Sequence, residues 1–218
     1  MKKKNSKTIL VALGTLVAFA LWTFLIRCVD VQPIGPNGSR VGFAAINGAF
    51  HALTGVHWAL YTLTDWLGLV PIGIALGFAV LGLVQLIRRK SLRKVDRDIL
   101  ILGGFYIVVL AAYLLFETVV INFRPVLIDG KLEASYPSST TMLALCVLPT
   151  AMIQLKTRIR GDAVRRAILG IFVAFTVFMV VGRLLSGVHW LSDIVGGVLL
   201  SAGLVPLYAL AVKQRKNA

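Results

Sequence analysis

The chain has 218 residues, 58% of them hydrophobic and 15% charged, with a mean hydropathy of +0.86 and a formal net charge of +14. So apolar a composition excludes an ordinary soluble domain and points to membrane helices, each needing about 20 apolar residues. The placement of the charge argues against a nucleic-acid partner. Four Lys in 1–7, six Lys/Arg in 88–98, five in 156–166 and three in 213–216 all stand in short polar breaks between apolar runs, which is the positive-inside pattern.

In chain order, the first apolar run is 8–27, behind Met1-Lys2-Lys3-Lys4. It is longer than the apolar region of a signal peptide and no small-residue cleavage site follows, so a retained first helix is expected. Gly35-Pro36-Asn37-Gly38 is turn chemistry. Over 41–66, Asn47, His51, Thr54, Trp58, Thr62 and Asp65 recur every three or four residues as one polar stripe, the pattern of a helix lying in the interface. A seventh span here would carry the 88–98 cluster to the opposite side. Further spans are expected at 67–87, 99–120, 139–155, 167–185 and 190–212.

The expected fold is therefore all-α: a polytopic membrane protein of six transmembrane helices plus an outer interfacial amphipathic helix, forming one domain over 1–218 without internal repeats. With the N-terminus inside, every basic cluster is inside, and 28–66, 121–138 and 186–189 are outside. That is the layout of a bacterial-type cytoplasmic (inner) membrane protein with both termini cytoplasmic. Cys28 and Cys146 are not expected to pair, and no metal-ligand spacing is present.

Chemistry-bearing residues gather on the predicted outer side. Arg183, His189 and Asp193 stand beside long apolar runs, where charge is expensive and marks functional candidates. His189 and Asp193, four apart, share a helix face, so the carboxylate can orient the imidazole. Arg183 is a permanently charged fork suited to phosphate. Asn122-Phe123-Arg124-Pro125 follows the third span, with Pro125 where that helix should end. Tyr136-Pro137-Ser138-Ser139-Thr140-Thr141 opens the fourth, where a hydroxyl caps the helix and free N–H groups form an anion seat. Two arginines, a helix N-terminus and a carboxylate-backed histidine can hold and attack a phosphoryl group.

Three segments, Arg124-Pro125, Pro137-Ser138 and Arg183-x5-His189-x3-Asp193, resemble the signature motifs of the type 2 phosphatidic acid phosphatases, membrane lipid phosphate phosphatases. The family pattern is Lys-x6-Arg-Pro, Pro-Ser-Gly-His and Ser-Arg-x5-His-x3-Asp. The resemblance implies a phosphatase-like core over about 99–212 and metal-independent hydrolysis without a cofactor. It implies a phosphohistidine on His189, Asp193 as its orienter, and phosphate held by Arg124, Arg183, Ser138 and Ser139. Phosphatidic acid, phosphatidylglycerol phosphate and isoprenoid diphosphates such as undecaprenyl diphosphate are the implied substrates, and membrane lipids the partners.

Four positions depart from that pattern. Glu117 stands where the family has lysine, Thr140 where it has the histidine that protonates the leaving group, Ser139 for glycine, and Gly182 for serine. A threonine hydroxyl cannot transfer a proton as histidine does near pH 7. Three accounts remain open: a diphosphate leaving group that needs little help, another donor such as Glu117, His51 or His57, or a scaffold that binds lipid phosphate without turnover. Glu117 also reads as an ion partner of Arg124 or Arg183. Trp58, Trp66 and Trp190 read as interfacial anchors, and Asp129, Lys131 and Glu133 as a solvated outer loop.

Overall fold

The computed structural model describes residues 2–213. Of the basic cluster at 213–216, residues 214–216 lie outside the described residues. Eight α-helices follow in order: α1 (Lys2–Cys28), α2 (Ala44–Thr54), α3 (Trp58–Leu67), α4 (Leu69–Arg89), α5 (Arg97–Thr118), α6 (Ser139–Arg158), α7 (Asp162–Leu185) and α8 (Leu191–Lys213). Among the described residues β structure is limited to isolated bridges. Six helical segments are long and apolar enough to cross a membrane, with α3 and α4 together forming one of them, Trp58–Arg89.

α6 sits at the centre, packed against α4, α5, α7 and α8. It is the least apolar span, with a mean hydropathy of 1.2, and the most buried. These two facts belong together, because an interior helix can pair its polar groups with neighbours instead of facing lipid. The Tyr106 and Thr150 hydroxyls share a hydrogen bond of 3.3 Å, and Gln154 donates to Tyr208 Oη at 2.5 Å. The surrounding core is Leu102, Phe105 and Val109 of α5, Met142 and Cys146 of α6, and Leu200 and Tyr208 of α8. Met179 of α7 closes on Ala144 and Leu148 from the other side. Outward, Leu10, Val17, Leu76, Leu83, Ile107 and Ile171 are exposed. A surface this apolar suits hydrocarbon and not water. Cys28 is exposed, Cys146 is buried, and both are free.

The basic clusters gather at one end of the bundle. Arg158 pairs with Asp98 at 2.9 Å, joining the 156–166 and 88–98 segments, and Arg89 pairs with Asp96 at 2.8 Å within the latter. α1 runs antiparallel to α8: Trp22 Nε1 donates to Ser192 O at 3.0 Å, and Leu16 packs on Gly203 one way along the pair. The start of α1 and the end of α8 therefore lie at the basic end, and the loops at 29–43, 119–138 and 186–190 lie opposite.

The segment 41–66 differs from the single interfacial helix its stripe predicts. It forms two helices, and the second runs through Gly68 into α4. The break is at Gly55, whose φ of +65° leaves the helical region and whose N–H closes on His51 O. Gly187, at φ +71°, lies against it, and a side chain there would collide with the Gly55 carbonyl. His57 N–H donates to Ser186 O at 3.0 Å across the same junction. The break also resets which residues face inward. Asn47 is buried, donating to Gly42 O at 2.7 Å and Ser192 Oγ at 2.9 Å. After it, Thr64 is buried and Thr62 is exposed.

Candidate active site

The loop 119–138 doubles back on itself. Bridges pair Phe123 with Ala134 and Ile128 with Lys131, and Asp129 (φ +48°) and Gly130 (φ +74°) turn the tip. Arg124 N–H donates to Glu133 O at 3.0 Å, and Ser135 N–H to Asn122 O at 2.9 Å. These bonds hold Asn122, Arg124 and Ser135 at the start of α8. The helix expected to stop at Pro125 ends at Thr118, with Val119 N–H making its closing bond to Leu115 O; Asn122 and Arg124 then take their backbone hydrogen bonds from this loop.

The start of α8 is locked from both sides. Asp193 Oδ2 accepts the Trp190 backbone N–H at 2.9 Å, as a carboxylate in a first helical turn does. Ser138 N–H donates to Asp193 O at 3.1 Å, tying α6 to α8. Trp190 corrects the interfacial-anchor expectation: it is 2% exposed and its Nε1 donates to Phe123 O at 2.7 Å. Its partner carbonyl lies in protein, so the indole braces the loop that carries Arg124. Trp58 and Trp66 are exposed, as anchors are.

His189, Arg124 and Arg183 converge. Arg124 Nη1 lies 3.2 Å and Arg183 Nη2 3.5 Å from His189 Nε2. A guanidinium has donors only, so Nε2 presents a lone pair. Burial, and then the charges of Arg124 and Arg183, hold the His189 pKa well below its ordinary value. The imidazole is thus neutral near pH 7, as a nucleophile must be. Asp193, expected to orient the ring, lies 3.9 Å from Nδ1, beyond hydrogen-bond reach. Ser135 Oγ stands between them, 3.0 Å from Nδ1 and 2.5 Å from Asp193 Oδ2.

Arg183 is 1% exposed, so its charge depends on near partners. They come from α3: Thr64 Oγ1 at 3.4 Å, Asp65 Oδ1 at 3.5 Å, and the Tyr61 ring 5.0 Å from the guanidinium carbon. Arg183 Nε has no partner. Arg124 Nε lies 3.1 Å from Glu133 Oε2. Glu117 is therefore not the arginines' ion partner; Glu133 and Asp65 are, and Glu133 is more than solvated loop. Glu117 is exposed and lines the mouth of the cavity beside Tyr113.

That cavity, of about 550 Å³, is lined by Arg124, His189, Ser135, Ser139, Tyr136 and Glu117, among others. Ser138 stands at the N-cap position of α6, but its hydroxyl makes no capping bond. Ser138 Oγ and Thr141 Oγ1 are buried without partners, a costly state for a hydroxyl. Thr140 does not line the cavity, and its methyl lies against Gly68. Gly182 has a related cause: a Cβ there would stand 2.8 Å from Thr64 Cγ2. Helix α3 crosses so close that both departures face it.

His51 and His57 are also outside the cavity lining. The His51 ring lies 5.5 Å from Trp190, and burial lowers its pKa. His57 Nε2 is 2.8 Å from Thr54 O. Among the described residues no group of three or more His, Cys, Asp or Glu is placed to hold a metal ion. The sequence gives no sign of Ser135, Tyr61 or Thr64 at the site; Asn122 enters there only as part of the segment holding Arg124, and Glu133 only as solvated loop. Ser135 lies 54 residues from His189 and Thr64 119 from Arg183, and no local spacing signals either pairing.

The PAP2 superfamily model matches residues 118–217, the part of the chain that carries Arg124, Ser138, Arg183, His189 and Asp193. The crystal structure of a transmembrane PAP2 type phosphatidylglycerolphosphate phosphatase from Bacillus subtilis superposes with a TM-score of 0.57 at 19% identity, covering 94% of this chain and 96% of that one. No curated protein matches the sequence. The chain is thus similar to the PAP2 superfamily over its motif-bearing part, and it has a multi-pass helical membrane fold like that of the transmembrane PAP2 type phosphatase.

Proposed function

We propose that the protein removes phosphate from a lipid phosphate or diphosphate at the outer leaflet of a bacterial-type cytoplasmic membrane, through a phosphohistidine on His189. The observation that carries this reading is the approach of two guanidinium groups to a neutral His189 Nε2 at the wall of a polar cavity. The outer-leaflet assignment follows from the basic clusters lying at the opposite end of the bundle.

The chemistry follows from the groups present. Arg124 and Arg183 turn their N–H groups from Nε2 to the phosphoryl oxygens, and the α6 N-terminus with the Ser138 hydroxyl completes the seat. The Nε2 lone pair forms a bond to phosphorus, and the bond from phosphorus to the lipid oxygen breaks with its electron pair on that oxygen. Water then attacks phosphorus, the N–P bond breaks, and its pair returns to Nε2. A lipid phosphate leaves a diphosphate without a proton. A lipid alkoxide requires one, and Thr140 cannot supply it. Isoprenoid diphosphates are therefore the favoured class. Phosphatidic acid and phosphatidylglycerol phosphate require Glu117, at the cavity mouth, to act as donor or to position a water.

The test is phosphate release by purified protein from phosphatidic acid, phosphatidylglycerol phosphate and an isoprenoid diphosphate, beside His189→Ala. Release confined to the wild type, fastest on the diphosphate, is expected. No release above the variant from any of the three overturns hydrolysis of these lipids. One observation favours a second reading, a lipid-phosphate binder or transporter: Thr140 is turned away from the cavity onto Gly68. It predicts saturable binding of the same lipids that is lost in Arg183→Met, with no release.

A further inference from the structure

His189 precedes α8 and Asp193 lies in its first turn, yet the two make no hydrogen bond; Ser135 joins them from a different part of the chain. The protons at this junction have one consistent arrangement. Arg124 and Arg183 can only donate, so Nε2 carries no hydrogen. A neutral imidazole then holds its hydrogen on Nδ1 and donates it to Ser135 Oγ. The single Ser135 proton goes to Asp193 Oδ2. That carboxylate also accepts from Trp190 N–H on Oδ2 and from Asn122 Nδ2 on Oδ1, at 2.9 and 3.1 Å. Three donors on one buried carboxylate suit its charged form. Each hydrogen in the chain has an acceptor, and only Nε2 keeps a free lone pair.

We propose that Ser135 is a positioning residue whose hydroxyl relays Asp193 to His189, holding the imidazole as the Nδ1–H tautomer with Nε2 turned to the substrate. This rests on the reading of His189 as the nucleophile. The hydroxyl is well placed for the task. Ser135 is 3% exposed, its backbone N–H is bound to Asn122 O, and the next residue but one in the other strand of its loop is Arg124. One loop thereby sets both a phosphate-binding arginine and the tautomer of the histidine. When Nε2 is phosphorylated the ring becomes cationic, and the relay brings it the Asp193 carboxylate through an oriented O–H dipole.

Two measurements on the full-length protein in micelles test this. The first is nitrogen-15 NMR of the histidine-labelled protein, with the His189 signals identified by their loss in His189→Ala. The wild type is expected to carry hydrogen on Nδ1, slow to exchange with water. Ser135→Ala is expected to lose that protection, and Ser135→Thr to retain it. The second is steady-state kinetics: Ser135→Ala should lower kcat by about 100-fold or more with little change in KM, and Ser135→Thr should recover most of the loss. A wild-type His189 with its hydrogen on Nε2 overturns the relay, whatever the variants do. So does a Ser135→Ala protein with a protected Nδ1–H and unchanged kcat. The NMR arm needs no turnover. If the wild type releases no phosphate but shows the expected tautomer, the hydrolysis reading fails and the relay stands.

Discussion

The two sides of the cavity are built differently. On the side of the proposed nucleophile, His189, Asp193, Ser135, Asn122 and Trp190 form an unbroken chain of hydrogen bonds, all buried. On the side proposed for the leaving group the lining offers an exposed Glu117 and a half-buried Ser139, while Thr140 lies outside it against Gly68. In the proposed reaction one side is ordered for attack and the other offers no fixed acid. The contrast teaches that attack and proton donation are separable. A site can keep the first, where one tautomer and one lone pair are specified, and leave the second to the substrate or to water.

The largest expected effect breaks the organised side. His189→Ala should lower phosphate release by about 10⁴-fold or more, because the attacking atom is gone; phosphate release from mixed micelles measures it. Arg183→Met should cost about 10²–10³ in kcat by removing a buried charge aimed at the transferred group. Retention of lipid binding in that variant would contradict its place in the anion seat. The next change acts on the poor side. Thr140→His with Glu117→Lys should raise turnover of a phosphomonoester by about 100-fold and that of a diphosphate much less. Equal gains on both would show that the leaving group is not what separates these lipids.

Two smaller effects sharpen the role of α3 and of the arginine charge. Gly182→Ser introduces the serine of the motif this segment resembles but sets a Cβ 2.8 Å from Thr64 Cγ2. It should destabilise by about 1–3 kcal/mol, seen as a lower Tm, and Thr64→Ala should relieve it. Additive losses in the double variant would refute the clash. The last effect is on pH. The depressed His189 pKa keeps Nε2 unprotonated below the ordinary histidine value of 6.5. The acid limb of kcat/KM should therefore fall below that pH. Arg124→Met removes one repelling charge, so the limb should move up toward 6.5; a shift downward would contradict the sign.

Much of this was legible in the sequence, for identifiable reasons. Apolar runs and basic breaks are one-dimensional signals, so the six spans and the gathering of charge at one end could be read directly. Arg183, His189 and Asp193 lie within one loop and its flanking turns, so their spacing was informative too. The stripe over 41–66 misled at Gly55, where one left-handed residue splits the helix and shifts the inward face from Thr62 to Thr64. The direct His189–Asp193 bond was a reasonable inference from i,i+4 spacing, but His189 precedes α8 and is not on its face. Ser135, Glu133 and α3 reach the site only through folding, and no period connects them to it. Trp190 looked like an anchor because a tryptophan at a span end usually is one; its buried bond to Phe123 O is a tertiary fact.

The central claim is that His189 Nε2 takes the phosphoryl group. Its most direct test is to quench the protein in alkali during turnover of an isoprenoid diphosphate and locate covalent phosphate by mass spectrometry. The account predicts one phosphoryl group on the peptide containing His189, held through Nε2, absent in His189→Ala and gone after substrate is exhausted. Sustained turnover with His189 never phosphorylated, or a phosphoryl group on any other residue, would contradict it.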